Sequence, residues 1–540
     1  MTISRRSVVL GSAGAAAGAG VLGWHMLSDG APPASLDGAD VARGHALRSG
    51  RFPEPSRTEE VAVAVVGGGV AGLAAGWTLA DAGLDDFALL ELEDETGGNA
   101  RGGRNAVSQY PLGAHYLPVA NREARALHHL LERLGMIVGR APDGAPRYDP
   151  YQLCADLQER VLWQGKWHEG LIPQTGLSVS DRDDLAAFHA AMEVFRHAVG
   201  DDGNPAFALP IAYSSVDAAF TTLDNQDFAH WVAAQGWRSP VLLGHVRYCC
   251  RDDYGCEPQD VSAWAGIHYF AGRRGWAAEG ASDNVLTWPA GNARLTRGMA
   301  AAFSDKIRTG RIVYHVEHDG DGGVAINSFD VAAGTSIRTV ARAAILACPH
   351  FVATRIAPDL VGDAAEFSYA PWLVANVTLD RPPAGRGAAL AWDNVGFVGD
   401  SLGYVVANHQ TRALGDAPTV VTWYLPLSML DPAEGRRALL SRPASHWRDR
   451  VVADLLRTNP ELGGAIRDVA LWRWGHAMVR PTPGFITRTA PAARAAAVPP
   501  LFLAHSDISG LSLFEEAHYR GVDAAEGAMR YLGHPHESMI

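Results

Sequence analysis

The chain predicts an α/β fold in two lobes: a Rossmann-like nucleotide domain assembled from separated segments, and a substrate domain in which a mixed sheet joins a helical lobe, α+β in arrangement. Three observations predict it. Residues 61–93 run as buried strand, glycine turn, helix and second buried strand; residues 145–284 carry long amphipathic helical patterns; and residues 366–480 alternate in the β manner. At 540 residues the chain is too long for one core.

Composition narrows the class. With 47% hydrophobic and 19% charged residues the chain is an ordinary globular protein, neither disordered nor fibrous. A balance of 46 basic against 59 acidic residues, net −13, argues against nucleic acid as a partner and mildly favours a cationic substrate. Lysine occurs only at Lys166 and Lys306. The five cysteines form neither a metal pattern nor an even disulfide set, so no metal site is expected. Cys249, Cys250 and Cys256 read either as one bridge with a spare thiol or as buried small residues, and Cys348 reads as core.

Taken in order, the chain opens with Ser4-Arg5-Arg6-Ser7-Val8-Val9-Leu10 and an apolar, Gly/Ala-rich run to Leu27. This resembles a twin-arginine export signal, with Val9 and Gly11 where Phe and Lys are usual, and it implies a periplasmic or exported protein. No clear A-x-A cleavage site lies between the apolar run and Pro32, so a cleaved signal and a retained membrane anchor both stand as expectations. Residues 31–60, rich in Gly, Pro, Ser and charge, read as a linker.

The segment that follows is the most specific in the chain. Val66-Gly67-Gly68-Gly69-Val70-Ala71-Gly72 joins the first buried strand to an Ala-rich helix. Gly67 permits the tight turn, Gly69 lets backbone approach a pyrophosphate, and Gly72 lets the helix pack on the strand. The helix N-terminus, at Val70 and Ala71, offers free N–H groups and partial positive charge to phosphates. Glu91, at the tip of the second strand, is placed to accept from the adenosine ribose hydroxyls.

Glu95-Thr96-Gly97-Gly98-Asn99-Ala100-Arg101 comes next. Here the chain resembles the flavin-containing amine oxidase and phytoene desaturase superfamily, in which the ribose acid is followed by an E-x-x-x-G-G-x-x-R run. The resemblance implies FAD, with Gly97, Gly98 and Arg101 against its pyrophosphate. It further implies that Gly113-Ala114 lies against the flavin ring, that Val316 gives a backbone contact to adenine, and that Asp507 bonds the ribityl chain and pyrophosphate. The helix beginning near Leu513 points its N-terminus at the flavin O2 region. His505-Ser506-Asp507 stands where the superfamily usually has Ala-Gly-Asp. No cysteine typical of covalent attachment lies near this last motif, so noncovalent FAD is expected.

The expected division is residues 1–30 signal or anchor, 31–60 linker, 61–144, 285–358 and 491–540 the FAD-binding domain in three parts, 145–284 the helical substrate lobe, and 359–490 the substrate-domain sheet. Strands are expected over 311–316, 343–349, 373–379, 404–407, 419–425 and 466–474, a hairpin over 323–342, and a helix over 442–456.

By this resemblance the protein is an FAD-dependent oxidoreductase of the amine oxidase type, moving hydride from an amine C–H to flavin N5, with polyamines among the candidate substrates. The donor must lie over the flavin, uncharged and away from water. Trp474 and His476 are the first candidates for an aromatic wall facing the flavin, Tyr404 and Trp423 the next, and core tryptophans are the competing reading. His115 and Tyr116 read either as lining of the flavin cavity or as a packed pair. The charged and aromatic stretch Arg247–Gly255, Asp252 and Asp253 within it, reads either as a substrate wall or as an Arg–Asp network between helices, the latter favoured for Arg251 and Asp252.

One departure bears on the acceptor. The superfamily's lysine, water-bridged to flavin N5, has no counterpart: Asn376 lies near its place. Oxygen as acceptor is therefore in doubt, and a quinone or periplasmic carrier is the other expectation. Two further functions stay open, a desaturase or isomerase of an apolar polyene and a catalytically silent flavoprotein that binds a partner.

Overall fold

Two sheets, one per domain, face each other across the cofactor and substrate cavities. The computed structural model describes residues 31–411 and 417–540, so the expected export signal lies outside the described residues. In the nucleotide domain Pro55–Val66 lies between Phe87–Leu90 and Thr335–Leu346, parallel to both, and Leu501–Leu503 pairs in parallel with the end of the latter. Val63, Ala64 and Val65 are fully buried, as a parallel strand covered on both faces requires. The other end of Thr335–Leu346 pairs antiparallel with Val324–Asp330, which pairs with Arg311–His318. The helices Val70–Asp81 and Phe514–Leu532 pack together so closely that a Cβ on Gly521 would lie 2.2 Å from the Ala71 carbonyl oxygen.

The substrate-domain sheet is mixed and eight-stranded. Tyr369–Leu379, buried along its whole length, pairs antiparallel with Thr419–Pro426 on one side and Ile466–Val479 on the other. Alternation splits its side chains. Leu373, Ala375 and Val377 pack with Trp447, Val451 and Leu455 of the helix Ala444–Thr458, while Trp372 and Val374 face the nucleotide domain. The single helix expected over 442–456 is preceded by a second one, Pro432–Ser441, and Pro443 separates the two.

Two expectations about organisation are corrected. Residues 31–60 are not a tether: Ala34–Gly38 adds a parallel edge strand to Ile466–Val479, Val41–Ser49 is a helix capped by Asp40, and the first nucleotide-domain strand starts at Pro55. Hydrogen bonds hold this stretch to the end of the second nucleotide-domain strand, with Asp40 N–H donating to Glu93 Oε1 at 2.8 Å and Arg43 Nη1 to the Leu92 carbonyl at 3.0 Å. Nor is 145–284 wholly helical, since Glu159–Trp163 and Lys166–Glu169 close the far edge of the mixed sheet. Its helices Val179–His197, Phe228–Ala234, Pro240–Tyr254 and Ala263–Ala271 are each capped by a side chain, Ser178, Asp227, Ser239 and Ser262 in turn. All five cysteines are unpaired thiols, so the bridge considered for Cys249, Cys250 and Cys256 is absent.

Candidate active site

A cavity of about 700 Å³ runs along the carboxyl ends of the parallel strands, within the range of cofactor sites. The glycines at its wall divide the work as their spacing predicts. Gly67 has φ +106°, and a Cβ there would lie 2.7 Å from the Ala347 oxygen. A Cβ on Gly72 would lie 1.8 Å from the Gly67 oxygen, so only glycine brings helix to strand. A Cβ on Gly69 meets nothing closer than Gly98 Cα at 4.0 Å; the space above it is cavity. Gly98 has φ +54° and Gly97 φ +120°, conformations that favour glycine.

Whether FAD fits can be tested on the protein groups alone. The helices starting at Val70 and Phe514 have no side-chain cap, and both open on this cavity at Gly69–Ala71 and Leu513–Phe514. Their first N–H groups therefore offer donors and positive potential to a pyrophosphate and to a ring carbonyl. Arg311 lines the cavity with Nη1 buried and unpartnered, a donor in want of an acceptor. Glu91 is buried, its Oε2 accepting from Gly68 N–H at 2.5 Å and Oε1 from Glu93 N–H at 2.8 Å. Asp507 Oδ2 accepts from Tyr369 Oη at 2.7 Å and His350 N–H at 2.9 Å. Burial works to raise the Asp507 carboxyl, but His505, Tyr369 and the His350 N–H hold it below the usual carboxylate range. These residues fit FAD.

Three expected positions differ. Arg101 does not line the cavity: it pairs with Glu93 at 3.5 Å and lies over the rings of Trp472 and Trp474. Val313, not Val316, reaches the cavity: a bulge between Val313 and His315 leaves both valines on one face of the strand, and Val316, farther along it, packs in the core. Cys348, expected in the core, lines the cavity beside the glycine turn. Sequence reasoning also missed the helix Val41–Ser49, whose His45 and Arg48 form part of the wall; the composition of that stretch resembles a linker, and its partners are more than forty positions away.

A second, smaller chamber of about 140 Å³ adjoins the first, sharing Asn99, Ala114, Trp474, Ala477 and Leu513 with it. Trp372, Val374 and Tyr424 wall its sheet side. Trp474 Nε1 donates to the Leu112 carbonyl at 2.6 Å and Tyr424 Oη to the Gly113 carbonyl at 3.1 Å, so both rings are held to the loop beneath. Gly113 is obligatory there, since a Cβ would lie 2.3 Å from the Asn99 oxygen. His115 stacks on Tyr424 with ring centroids 4.5 Å apart, and burial pushes its pKa down to about 4, so it is neutral at pH 7. His115 and Tyr116 thus both pack and line the chamber.

The other aromatic candidates are corrected. Tyr404 and Trp423 are cross-strand partners pointing to the opposite face, into the core. Tyr404 Oη donates to Asn459 Oδ1 at 2.8 Å and Trp423 Nε1 to Asp454 Oδ2 at 2.8 Å. One step along the strand, Tyr424 faces the chamber. His476 stacks on Phe351 at 4.5 Å and lines the cofactor cavity, not the chamber. Asn376 is tied to the Pro111 carbonyl and Thr422; the residue of its strand that reaches the chamber alongside Trp372 is Val374.

The chamber wall also carries Asp252, Asp253, Glu515 and Arg273. Arg273 Nη2 lies 2.6 Å from Asp253 Oδ2. Burial raises the carboxyls of Asp252 and Glu515 to about 7, with Asp253 adding to the shift of Asp252 and Arg273 opposing that of Glu515. The two readings of the Arg251–Asp252 pair separate by helix face. Arg251 turns away to Ser428 and Glu257, whereas Asp252 faces the chamber. Asp253 stands in the stretch read as a possible substrate wall, whereas Glu515 and Arg273 were not anticipated; the acidic doublet Glu515-Glu516 after the last flavin motif was the available signal.

No curated protein matches the chain. The family model for flavin containing amine oxidoreductases matches residues 70–529. Among solved structures, a putrescine oxidase bound to putrescine superposes with TM-score 0.64 at 16% identity, covering 88% of this chain and 100% of that one. A cyclohexylamine oxidase from Brevibacterium oxydans IH-35A gives 0.61 at 17%, covering 88% and 100%. A fatty acid isomerase from P. acnes gives 0.58 at 16%, covering 87% and 98%. With its flavin cradle and the match over most of its length, this chain belongs to the flavin containing amine oxidoreductase family and is an FAD-dependent oxidoreductase.

Proposed function

We propose that the protein oxidises a small amine at the carbon bearing nitrogen. The observation that supports this most is the chamber itself, which adjoins the cofactor cavity and is lined by aromatic rings together with more carboxylates than cations. FAD, when bound, would supply an acceptor for the hydride, with its two electrons, that leaves the donor carbon. The protein's own part is to hold the donor and exclude water. Trp372, Tyr424 and Trp474 present ring surface, and His115, neutral because buried, adds no charge beside the donor nitrogen. A neutral nitrogen retains the lone pair needed to release hydride from its neighbouring carbon. The amine loses that hydride and one proton, giving an imine that water cleaves to a carbonyl compound and the smaller amine or ammonia.

A polyene substrate is disfavoured by the same chamber, because an apolar chain would strip water from Asp252 and Glu515 and replace it with nothing. The electron acceptor is read as a quinone or periplasmic carrier ahead of oxygen, since Val374 and Asn376 stand on the strand where the resembled enzymes carry lysine. Noncovalent FAD is supported by the place of Cys348, beside the glycine turn and away from the chamber. Export through the twin-arginine route, with FAD loaded before transport, completes the reading.

Anaerobic titration of the FAD-loaded protein with mono-, di- and polyamines, followed by admission of air, tests it. Bleaching of the flavin by an amine with slow recovery in air is expected. Failure of every amine to bleach it would overturn the proposal. Acid precipitation is expected to release the yellow colour into the supernatant, and a coloured pellet would show a covalent bond.

A further inference from the structure

Along the cofactor cavity the acids are paired and the arginines are not. Asp40 caps its own helix and pairs with Arg43, Glu91 accepts from the Gly68 and Glu93 N–H groups, and Glu93 pairs with Arg101. Asp507 is held by Tyr369, His350 and His505. Arg48, Arg355 and Arg437 line the same cavity, and among the described residues none of the three has a hydrogen bond or an ion pair. Arg436 donates only to the Tyr369 carbonyl, at 3.3 Å, and Arg473 only to the Leu439 carbonyl, at 3.3 Å, which leaves Arg473 Nε buried without an acceptor. Cations gathered in this way are unfavourable until an anion joins them.

Two of these arginines meet at one place. Arg436 passes Gly475, where a Cβ would lie 3.7 Å from its Cδ, on its way to the Tyr369 carbonyl. The next residue, His476, packs on Tyr369 with ring centroids 5.7 Å apart, and the Tyr369 hydroxyl is bonded to Asp507. Arg48 reaches the same spot from the last turn of Val41–Ser49. Burial, then the positive fields of Arg436, Arg48 and His45, push His476 down to about 4, so it brings no charge of its own at pH 7. Both helices belong to the substrate-domain side: Pro432–Ser441 packs on Tyr369–Leu379 and Ile466–Val479, and Val41–Ser49 follows the edge strand Ala34–Gly38.

FAD brings a doubly anionic pyrophosphate to this cavity. The helix N-terminus at Val70 offers it only partial charge, and Arg101, the arginine of the glycine-rich motif, is taken by Glu93 and does not line the cavity. We propose that Arg48 and Arg436 bind the FAD pyrophosphate in place of Arg101, so that the cofactor's charge is met from the substrate domain and the bound cofactor ties the two domains together. Arginine suits the task, because its planar fork gives two parallel N–H bonds to phosphate oxygens.

The test is FAD binding to the FAD-free protein, followed by quenching of flavin fluorescence over a range of NaCl concentrations. Arg48→Gln and Arg436→Gln should each raise the dissociation constant by about tenfold to a hundredfold, the span of one hydrogen-bonded charge. Each should also make it less sensitive to salt. Arg436→Lys should recover the salt sensitivity and part of the affinity, and Arg57→Gln, at an exposed arginine away from the cavity, should bind FAD as the unaltered protein does. Inorganic pyrophosphate should displace FAD from the unaltered protein and compete less well in the two glutamine variants. Both side chains keep some exposure, so the FAD-free variants should fold, and thermal unfolding checks that they do. Unchanged FAD affinity would overturn the proposal. So would weaker binding that keeps its full salt dependence, which would make the arginines structural. Pyrophosphate that binds alongside FAD and is lost in Arg48→Gln would overturn it too, by giving the arginines to a separate anionic ligand. None of these outcomes touches the amine reading, which is tested on FAD-saturated enzyme at the other chamber.

Discussion

The cofactor cavity and the substrate chamber share a wall but are made in different ways. The cavity is built mainly from backbone: two uncapped helix N-termini and glycines whose missing side chains leave the space. The chamber is built from side chains contributed by widely separated segments, Tyr116, Asp252, Arg273, Trp372, Tyr424 and Glu515 among them. A backbone site tolerates little change in its own short motif but is less sensitive to side chains elsewhere. A side-chain site is the reverse, and it can be retuned without touching the fold.

The sharpest way to break this contrast is within the glycine turn. Gly72→Ala puts a Cβ where 1.8 Å separates it from the Gly67 oxygen, so the helix must leave the strand; loss of soluble, FAD-bearing protein on gel filtration is the expected result. Gly69→Ala meets no protein atom closer than 4.0 Å. It should leave the thermal stability of the FAD-free protein within about 0.5 kcal/mol while reducing FAD affinity by about a hundredfold or more, read by fluorescence quenching on titration. Equal behaviour of the two variants would sink the assignment of their separate roles.

On the chamber side, Trp474→Ala should retain FAD and lower kcat/KM for amines by about a hundredfold, the cost of misplacing the donor. The retained flavin spectrum is the control that separates the two regions. Amines bearing a ring gaining activity relative to small linear ones in this variant would sharpen the point further.

Two groups, one from each region, titrate with opposite sign. Glu515, raised by burial to about 7, adds stability that is complete below its ordinary carboxylate range and is lost as pH rises through about 7. Glu515→Gln should therefore flatten the loss of stability between pH 5 and 8, by up to about 3 kcal/mol in the FAD-free protein. His476 beside the cofactor cavity, lowered by burial to about 4, instead costs stability as pH falls from about 6.5 toward 4. Chemical denaturation across this range measures both slopes. The smallest effect is expected at Tyr404→Phe. It removes the bond to Asn459, costing about 1 kcal/mol, and leaves amine oxidation unchanged.

Legibility followed the same division. Gly67, Gly69, Gly72, Glu91, Asp507 and Leu513 stand in the cavity or its supporting turn where the motifs place them, since each motif is contiguous and its geometry is local. Val316 failed because it lies on the same face as Val313 but farther along the strand, beyond the cavity, and how far the cavity reaches along a strand leaves no mark in alternation. Tyr404 and Trp423 failed by one residue of phase: the strand was foreseen, but which of its faces meets the flavin depends on the sheet it joins. The helix Val41–Ser49 was missed because its stability comes from Glu93, Leu92 and Asp94 across the chain, not from a periodic apolar face of its own.

The amino-acid order by itself determined the parallel nucleotide domain, its cofactor and the sequence of lobes, because glycine spacing and strand–turn–helix succession are local conditions met within thirty residues. Only the tertiary structure decided that Asp252 and Glu515 share a chamber, 263 positions apart in the chain, and that Asp253 is neutralised while they are not. The physical reason is burial. A carboxylate's chemistry depends on what replaces its water, and the neighbours that do so here come from another helix, another domain and the far end of the chain.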